Sequence, residues 1–323
     1  MLVRAWNLFN GNTVPSGRRA YLREMIDLIT VDRPAIVCLQ EVPAWALEQV
    51  GEWAGMQAVT ARTRRPKLGP IAIPGGVGRR LTSIHAGRTR SAFGGQGNVI
   101  LLPKQVKLRQ AKQITLNTNP FCEEQAAKLG LKAKEARWWE RERRVCHLAK
   151  IEFGDRRRML IANLHATSQP ADLRLANAEL RRAASFVDRA AEVEEVVILA
   201  GDFNTTLEQS ETLRELTTRP DEAYSATGPR IDHILVRGAV ASGVRVWPDD
   251  DRRLGDKLLS DHAPVELEIG GKPKQAPAPP PPPAPAPPPS PAADERPPPA
   301  KEEVAKEDDR WETPGDQRWE TDP

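Results

Sequence analysis

Short apolar runs recur nine times before the chain changes character at Ile269: LVRAWNL, AIVCLQE, GNVILL, VCHLAKIEF, RMLIANLH, VVILAGDFN, RIDHILVRG, VRVW and PVELEI. Most are rich in Val, Ile and Leu and are bounded by Gly, Pro or polar residues, as buried β-strands are. Helical patterns lie between some of them. RRAYLREMIDLIT places Tyr21, Leu22, Met25, Ile26 and Ile29 on one face. PADLRLANAELRRAASFVDRAAEV opens with Pro170 and Asp172 and carries Leu173, Ala176, Leu180, Ala183 and Val187 at helical spacing. FCEEQAAKLGLKAKEARWWERERR also reads as helix, with Trp138 and Trp139 as packing residues. Many strands with few helices predict an α/β (α+β) fold: a four-layer sandwich of two packed mixed β-sheets flanked by helices.

Composition sets the boundary. Of 30 prolines, 17 follow Ile269, and that stretch has almost no aliphatic residues. It cannot bury enough apolar surface to offset its ordering entropy. The expected organisation is a catalytic domain over 1–269 and a disordered proline-rich linker with an acidic tail over 270–323. Charge divides at the same place. The tail holds 7 Lys/Arg and 11 Asp/Glu, a net of −4; removing them from 47 and 44 leaves 40 and 33, a domain of +7. Near the end, DRWETPGD and QRWETDP repeat a short motif around Trp311 and Trp319, either a chance duplication in a solubilising tail or a docking point for a protein partner.

Cys38, Cys122 and Cys146 are too few and too scattered for a disulfide framework or a zinc site. Cys38 and Cys146 sit in apolar runs and read as small core residues. No signal peptide fits before LVRAWNL, and no apolar run reaches membrane-spanning length. A soluble, cytoplasmic monomer without a membrane partner is expected.

The strands share a way of ending. RAWNLFN delivers Asn7, VCLQEVP Glu41, LIANLHATS Asn163 and His165, and LAGDFNTT Asp202 and Asn204; RIDHILV carries Asp232 and His233, and LLSDHAPVEL Asp261 and His262. Asp or Asn after one strand usually just starts a turn. Six strands ending in a carboxylate, amide or imidazole point elsewhere. Such residues suit a hard divalent cation bound through oxygens, with imidazoles to handle protons. His147, alternating within VCHLAKI, reads as structural; His233 points to the opposite strand face from Asp232.

These segments, in the order WN, LQE, NLH, GDFN, IDHI and SDHAPV, resemble the endonuclease/exonuclease/phosphatase superfamily, the fold of pancreatic deoxyribonuclease. The resemblance spans Asn7 to His262 and excludes the tail. It implies roles. Asn7 and Glu41 match the metal-binding pair, with Asp261 a second metal-side carboxylate. Asp202 matches the group that positions or deprotonates the nucleophile, and Asn204 the amide on the scissile phosphate. His262 matches the general base or phosphate ligand, oriented by Asp232. His165 matches the other family histidine, which contacts a phosphate oxygen. The implied cofactor is Mg²⁺ or Mn²⁺. Magnesium needs only one or two carboxylates and keeps several waters, so Asn7, Glu41 and Asp261 suffice as its protein shell.

One departure stands out. Deoxyribonuclease-type members pair the histidine matched by His165 with a carboxylate from the segment after the Glu strand. Here no acid occurs from Trp53 to Cys122; His165 must find a partner elsewhere, for example near ERERR, or work without one. The same stretch carries twelve Lys/Arg, clustered in ARTRRPK and GRRLTSIHAGRTR. Arg79, Arg80, Arg88 and Arg90 are therefore expected to grip a polyanion without reading its sequence. The leading expectation is a metal-dependent phosphodiesterase acting on nucleic acid. A phosphatase or phosphodiesterase on a small or lipid phosphoester is the alternative. The complete metal and histidine set argues against a scaffold that has lost its chemistry.

Overall fold

The computed structural model describes residues 1–270 apart from 18, 64–66, 69–70, 73–94, 141–142, 170–171, 221–222, 226–227 and 229. Alternation along the strands decides the layers. In β1 (Leu2–Asn7), Val3 and Ala5 face one side and Trp6 the other; in β3 (Ile36–Pro43), Ile36 and Cys38 oppose Val37 and Leu39. The first set meets Ile161 of β10 (Arg158–His165), Ile198 and Ala200 of β11 (Val196–Asp202), and Ile234 and Val236 of β12 (Asp232–Arg237) in the core between two sheets.

The first sheet runs β13 (Val240–Val246), β16 (Val265–Gly270), β1, β3, β7 (Gln96–Leu102) and β4 (Gln57–Arg62); the second runs β12, β11, β10, β9 (Val145–Glu152) and β8 (Lys107–Thr115). Each is mixed. β1 and β3 are parallel, as are β10 and β11, and the other pairs are antiparallel. Small ribbons join β2 (Thr13–Val14) with β15 (Lys257–Leu259) and β14 (Arg253–Leu254), and β5 (Lys67–Leu68) with β6 (Ile71–Ala72).

Helices cover both outer faces. α1 (Leu22–Ile29) lays Leu22, Met25, Ile26 and Ile29 on Trp6, Val37 and Leu39; α2 (Val50–Ala54) adds Val50. On the far side, α5 (Arg174–Ala190) and α6 (Glu211–Thr218) set Ala176, Leu180, Ala183, Val187, Leu213 and Leu216 on Leu160, Ala162 and Leu164. The four expected layers are present. Cys38 lies between the sheets and Cys146 under α5; burial raises both thiols far above their ordinary value.

The structure refines two helices. The stretch read as one helix is two, α3 (Asn119–Leu129) and α4 (Ala133–Trp139), because Gly130 at φ +63° ends the first. Trp139 is buried edge-on to Phe121, whereas Trp138 is 39% exposed. α5 starts at Arg174, four residues after Pro170. The tail lies outside the described residues from 271 onward.

Candidate active site

The candidate site forms where β1, β10 and β11 end and β12 begins, because register leaves those residues side by side. Asn7 pairs with Gln40, one residue before Glu41, while Asp202 pairs with His165 on one side and Asp232 on the other. Gly201 makes this closeness possible. Its φ is +135°, and a Cβ there would lie 1.9 Å from the Leu164 carbonyl oxygen. Asn163, one of the strand-end residues, has a structural position. Its amide donates to the carbonyls of Leu39 and Val99, and its Oδ1 accepts from Gln40, stitching the sheets together beneath the site.

Asp202 is the hub. Oδ2 accepts from the Asn7 amide at 3.0 Å, and Oδ1 accepts from the Asn204 backbone N–H at 3.0 Å. Burial, with the Asp232 charge, raises its carboxyl to about 6 against the opposing pull of His262. Nδ1 of His262 lies 2.9 Å from Asp232 Oδ2, and Nε2 lies 3.7 Å from Asp202 Oδ2. Burial disfavours the imidazolium, but the Asp232 hydrogen bond and the charges of Asp232, Asp202 and Asp261 prevail and raise His262 to about 10. The segment bearing His262 is itself pinned: its carbonyl accepts from Trp6 Nε1 and Arg252, and Ser260 Oγ donates to the Asn7 carbonyl.

His165 finds a partner of opposite charge to the family's. Arg144 Nη1, from the ERERR segment, lies 2.8 Å from Nε2 and 3.0 Å from Nδ1 of the ring. Arginine only donates, so the ring accepts and is neutral. Burial, then Arg144 and His262, holds its pKa well below the ordinary histidine value. Its Nε2 is 3.6 Å from Asp202 and 3.8 Å from Glu41. Glu41 Oε2 accepts from the Asn10 amide at 2.7 Å, and Asn204 ties its own amide to the Ala166 carbonyl.

A family model for the endonuclease/exonuclease/phosphatase family matches residues 5–262. The chain belongs to that family. Its members hydrolyse phosphoric esters, generally with a divalent cation, and this chain is a phosphoric ester hydrolase of that type. Among solved structures, a humanised D. rerio TDP2 aligns with TM-score 0.56 at 15% identity, over 84% of this chain and 99% of that one. A Bacteroides thetaiotaomicron mannosyl-6-phosphatase gives 0.56 at 14%, over 84% and 100%. A Beutenbergia cavernae endonuclease/exonuclease/phosphatase gives 0.57 at 16%, over 84% and 72%. These likenesses establish the fold. Among curated proteins, no sequence match reaches significance.

The residues fit the family's cation. Hard oxygen donors lie here: the partly exposed Glu41 carboxylate, whose Oε2 accepts from Asn10, and the Asn7 Oδ1, which accepts from the Phe9 N–H at 2.9 Å while Nδ2 of the same amide holds Asp202. Among the described residues, Asp202, Asp232 and His262 also place ligand atoms within 4.8 Å of one another. An Asp–His ion pair accounts for that closeness, and a cation on His262 would have to displace its proton. Asp261 falls outside that group; it is exposed and lines a cleft of about 150 Å³ with Arg230 and His262. Arg79, Arg80, Arg88 and Arg90 lie outside the described residues.

His233 and His147 are apart from this cluster. His233 stacks on Phe203 with Nε2 2.9 Å from the Thr205 carbonyl, and His147 is buried beside the Val59 carbonyl. Sequence reasoning missed Asn10, Arg144, Ser260 and Arg252. Only ERERR hinted at one of them.

Proposed function

We propose that this chain is a divalent-metal-dependent nuclease whose substrate is the phosphodiester backbone of nucleic acid. One observation carries the substrate class. The segment from 64 to 94 holds seven Lys/Arg and no acid, and its two roots flank the site. Thr63 donates to the Gln96 carbonyl, Gly95 accepts from Ala44 N–H, and Gly97 pairs with Val42, next to Glu41. A dense positive charge rooted beside the reacting centre suits a polyanion. The buried, unpaired cysteines support a reducing cytoplasmic setting. No described helix is long and apolar enough to cross a membrane.

In this reading Glu41 and Asn7 hold the cation, with Asp261 available from the His262 side. When bound, it neutralises charge gained by the phosphate as water attacks. Asp202, fixed by Asn7 and the Asn204 N–H, accepts the proton of that water. As the bond from phosphorus to the leaving oxygen breaks, the Asp232-paired imidazolium of His262 gives that oxygen its proton, and the neutral His165 ring with Arg144 lies beside the phosphate. Asn204 holds the scissile group. The test is hydrolysis of plasmid, single-stranded oligonucleotide, bis(p-nitrophenyl) phosphate and sugar monophosphates, with Mg²⁺ or Mn²⁺ and with chelator. Chelator-sensitive cleavage of the nucleic acids is expected, reduced about a hundredfold or more by His262→Ala and by Asp202→Asn. Faster turnover of a monophosphate than of any oligonucleotide would replace this reading with a small-molecule phosphatase.

A further inference from the structure

Beside the site lies a cleft that the chemistry above does not use. It measures about 560 Å³, within the range of about 300–1,000 Å³ that takes small ligands. Its walls are Lys134, Glu135 and Trp138 of α4, Gln169 of the loop after β10, and Asp172, Arg174 and Leu175 at the start of α5. The charges sort themselves. Arg174 is held by Asp172 at 2.7 Å and donates to the Leu129 carbonyl, and Glu135 accepts from the Lys132 N–H at its own helix start. The exposed Lys134 ammonium, the half-buried Gln169 and the exposed part of the Trp138 indole remain for a ligand.

Trp138 is displayed on a rigid mount. Its neighbour Trp139 packs with Cys122 and Leu175, and donates from Nε1 to the buried Glu179 at 2.6 Å. Glu179 also accepts from the backbone and hydroxyl of Thr167, two residues past His165. Gln169 follows His165 by four residues, so the cleft edge is at most about 14 Å of backbone from that histidine. An indole exposed at this place, beside an exposed ammonium and an amide, can serve as a stacking platform with a phosphate contact.

We propose that this cleft is a nucleobase subsite: one unpaired base of the substrate strand stacks on Trp138 while its phosphate meets Lys134. This rests on the nuclease reading and adds to it a preference for single-stranded or frayed substrates over intact duplex, since a base inside a duplex has no free face to offer. The experiment compares a single-stranded dodecathymidylate with an abasic strand of the same length, which keeps the phosphates and lacks the bases, by fluorescence anisotropy in the presence of Ca²⁺. Wild-type protein should bind the thymidylate about tenfold more tightly than the abasic strand. Trp138→Ala should erase that ratio, and Trp138→Phe should keep part of it. Lys134→Ala should weaken both strands alike and lower the salt slope by about one. Equal wild-type affinity for the two strands, or a ratio that survives Trp138→Ala, overturns the subsite and leaves the nuclease reading standing. No binding to either strand at low salt overturns both.

Discussion

Replacing Gly201 with alanine tests whether strand-end closeness is what builds the site. An added Cβ would lie 1.9 Å from the Leu164 carbonyl oxygen and 3.1 Å from Asn163 Oδ1, at a φ of +135° that side chains avoid. A backbone oxygen in a ladder cannot swing aside, so β10 and β11 must separate by about 1 Å to reach the shortest contacts real Cβ atoms show. The strained φ costs about 1–3 kcal/mol. Losing or stretching one buried ladder hydrogen bond adds about 1–3 kcal/mol. The sum, about 2–6 kcal/mol, corresponds to a fall of about 4–24 °C in melting temperature for a domain of this size.

The chemistry should suffer beyond the stability loss, because His165, Asp202 and Asn204 all follow the displaced pair. A 1 Å misplacement costs about a hundredfold in rate. Calorimetry and single-turnover kinetics, at a temperature where the variant is folded, separate the two effects. Gly154→Ala is the control, since its Cβ would meet nothing within 4 Å. If Gly201→Ala melts within about 2 °C of wild type and turns over within about threefold, the account of how the site is assembled is wrong.

Three further outcomes follow from the same geometry. Asn10→Ala removes the amide that steadies Glu41, and should raise the Mg²⁺ concentration for half-maximal rate about tenfold while leaving saturated turnover nearly intact. Burial lowers His147 to about 4, whereas in the unfolded chain it titrates near 6.5. The unfolded state therefore takes up the proton first as pH falls; the full contribution is present above pH ~6.5 and declines by up to about 3 kcal/mol towards pH ~4. Denaturant titrations across that window should show the decline, and His147→Gln should flatten it with little change in turnover. A chain ending after residue 271 should keep its melting temperature and turnover, and a large drop in either would make the tail part of the domain.

Strand ends were legible because the chemistry is clustered in short motifs. The register that converts those motifs into a pocket was not written locally. Asn163 looks like a site residue in sequence, yet its amide bonds hold two sheets together. β8 left no apolar signal: KLRQAKQIT is an edge strand whose charged and amide side chains face solvent. Arg144 could not be assigned because the usual partner of His165 is a carboxylate, and pattern-matching searches for the expected charge. Trp138 and Trp139 differ by one residue and read alike. Only the orientation of α4 distinguishes the buried ring from the displayed one.

The pairing of β1 with β16 has a bearing on when the site of this enzyme is complete. The strand that carries Asn7 lies between β3 and β16, and the Asn7 carbonyl is held by Ser260, 253 positions away. His262, two residues further on, lies against Asp232 and Asp202. Ring closure over such a span comes late in folding, since its loop entropy is repaid only by contacts formed with it. A product of synthesis or proteolysis lacking residues from Ser260 onward lacks both His262 and the Ser260 hydrogen bond to the Asn7 carbonyl. The topology thus ties completion of the site to the last segment of the domain, which supplies His262.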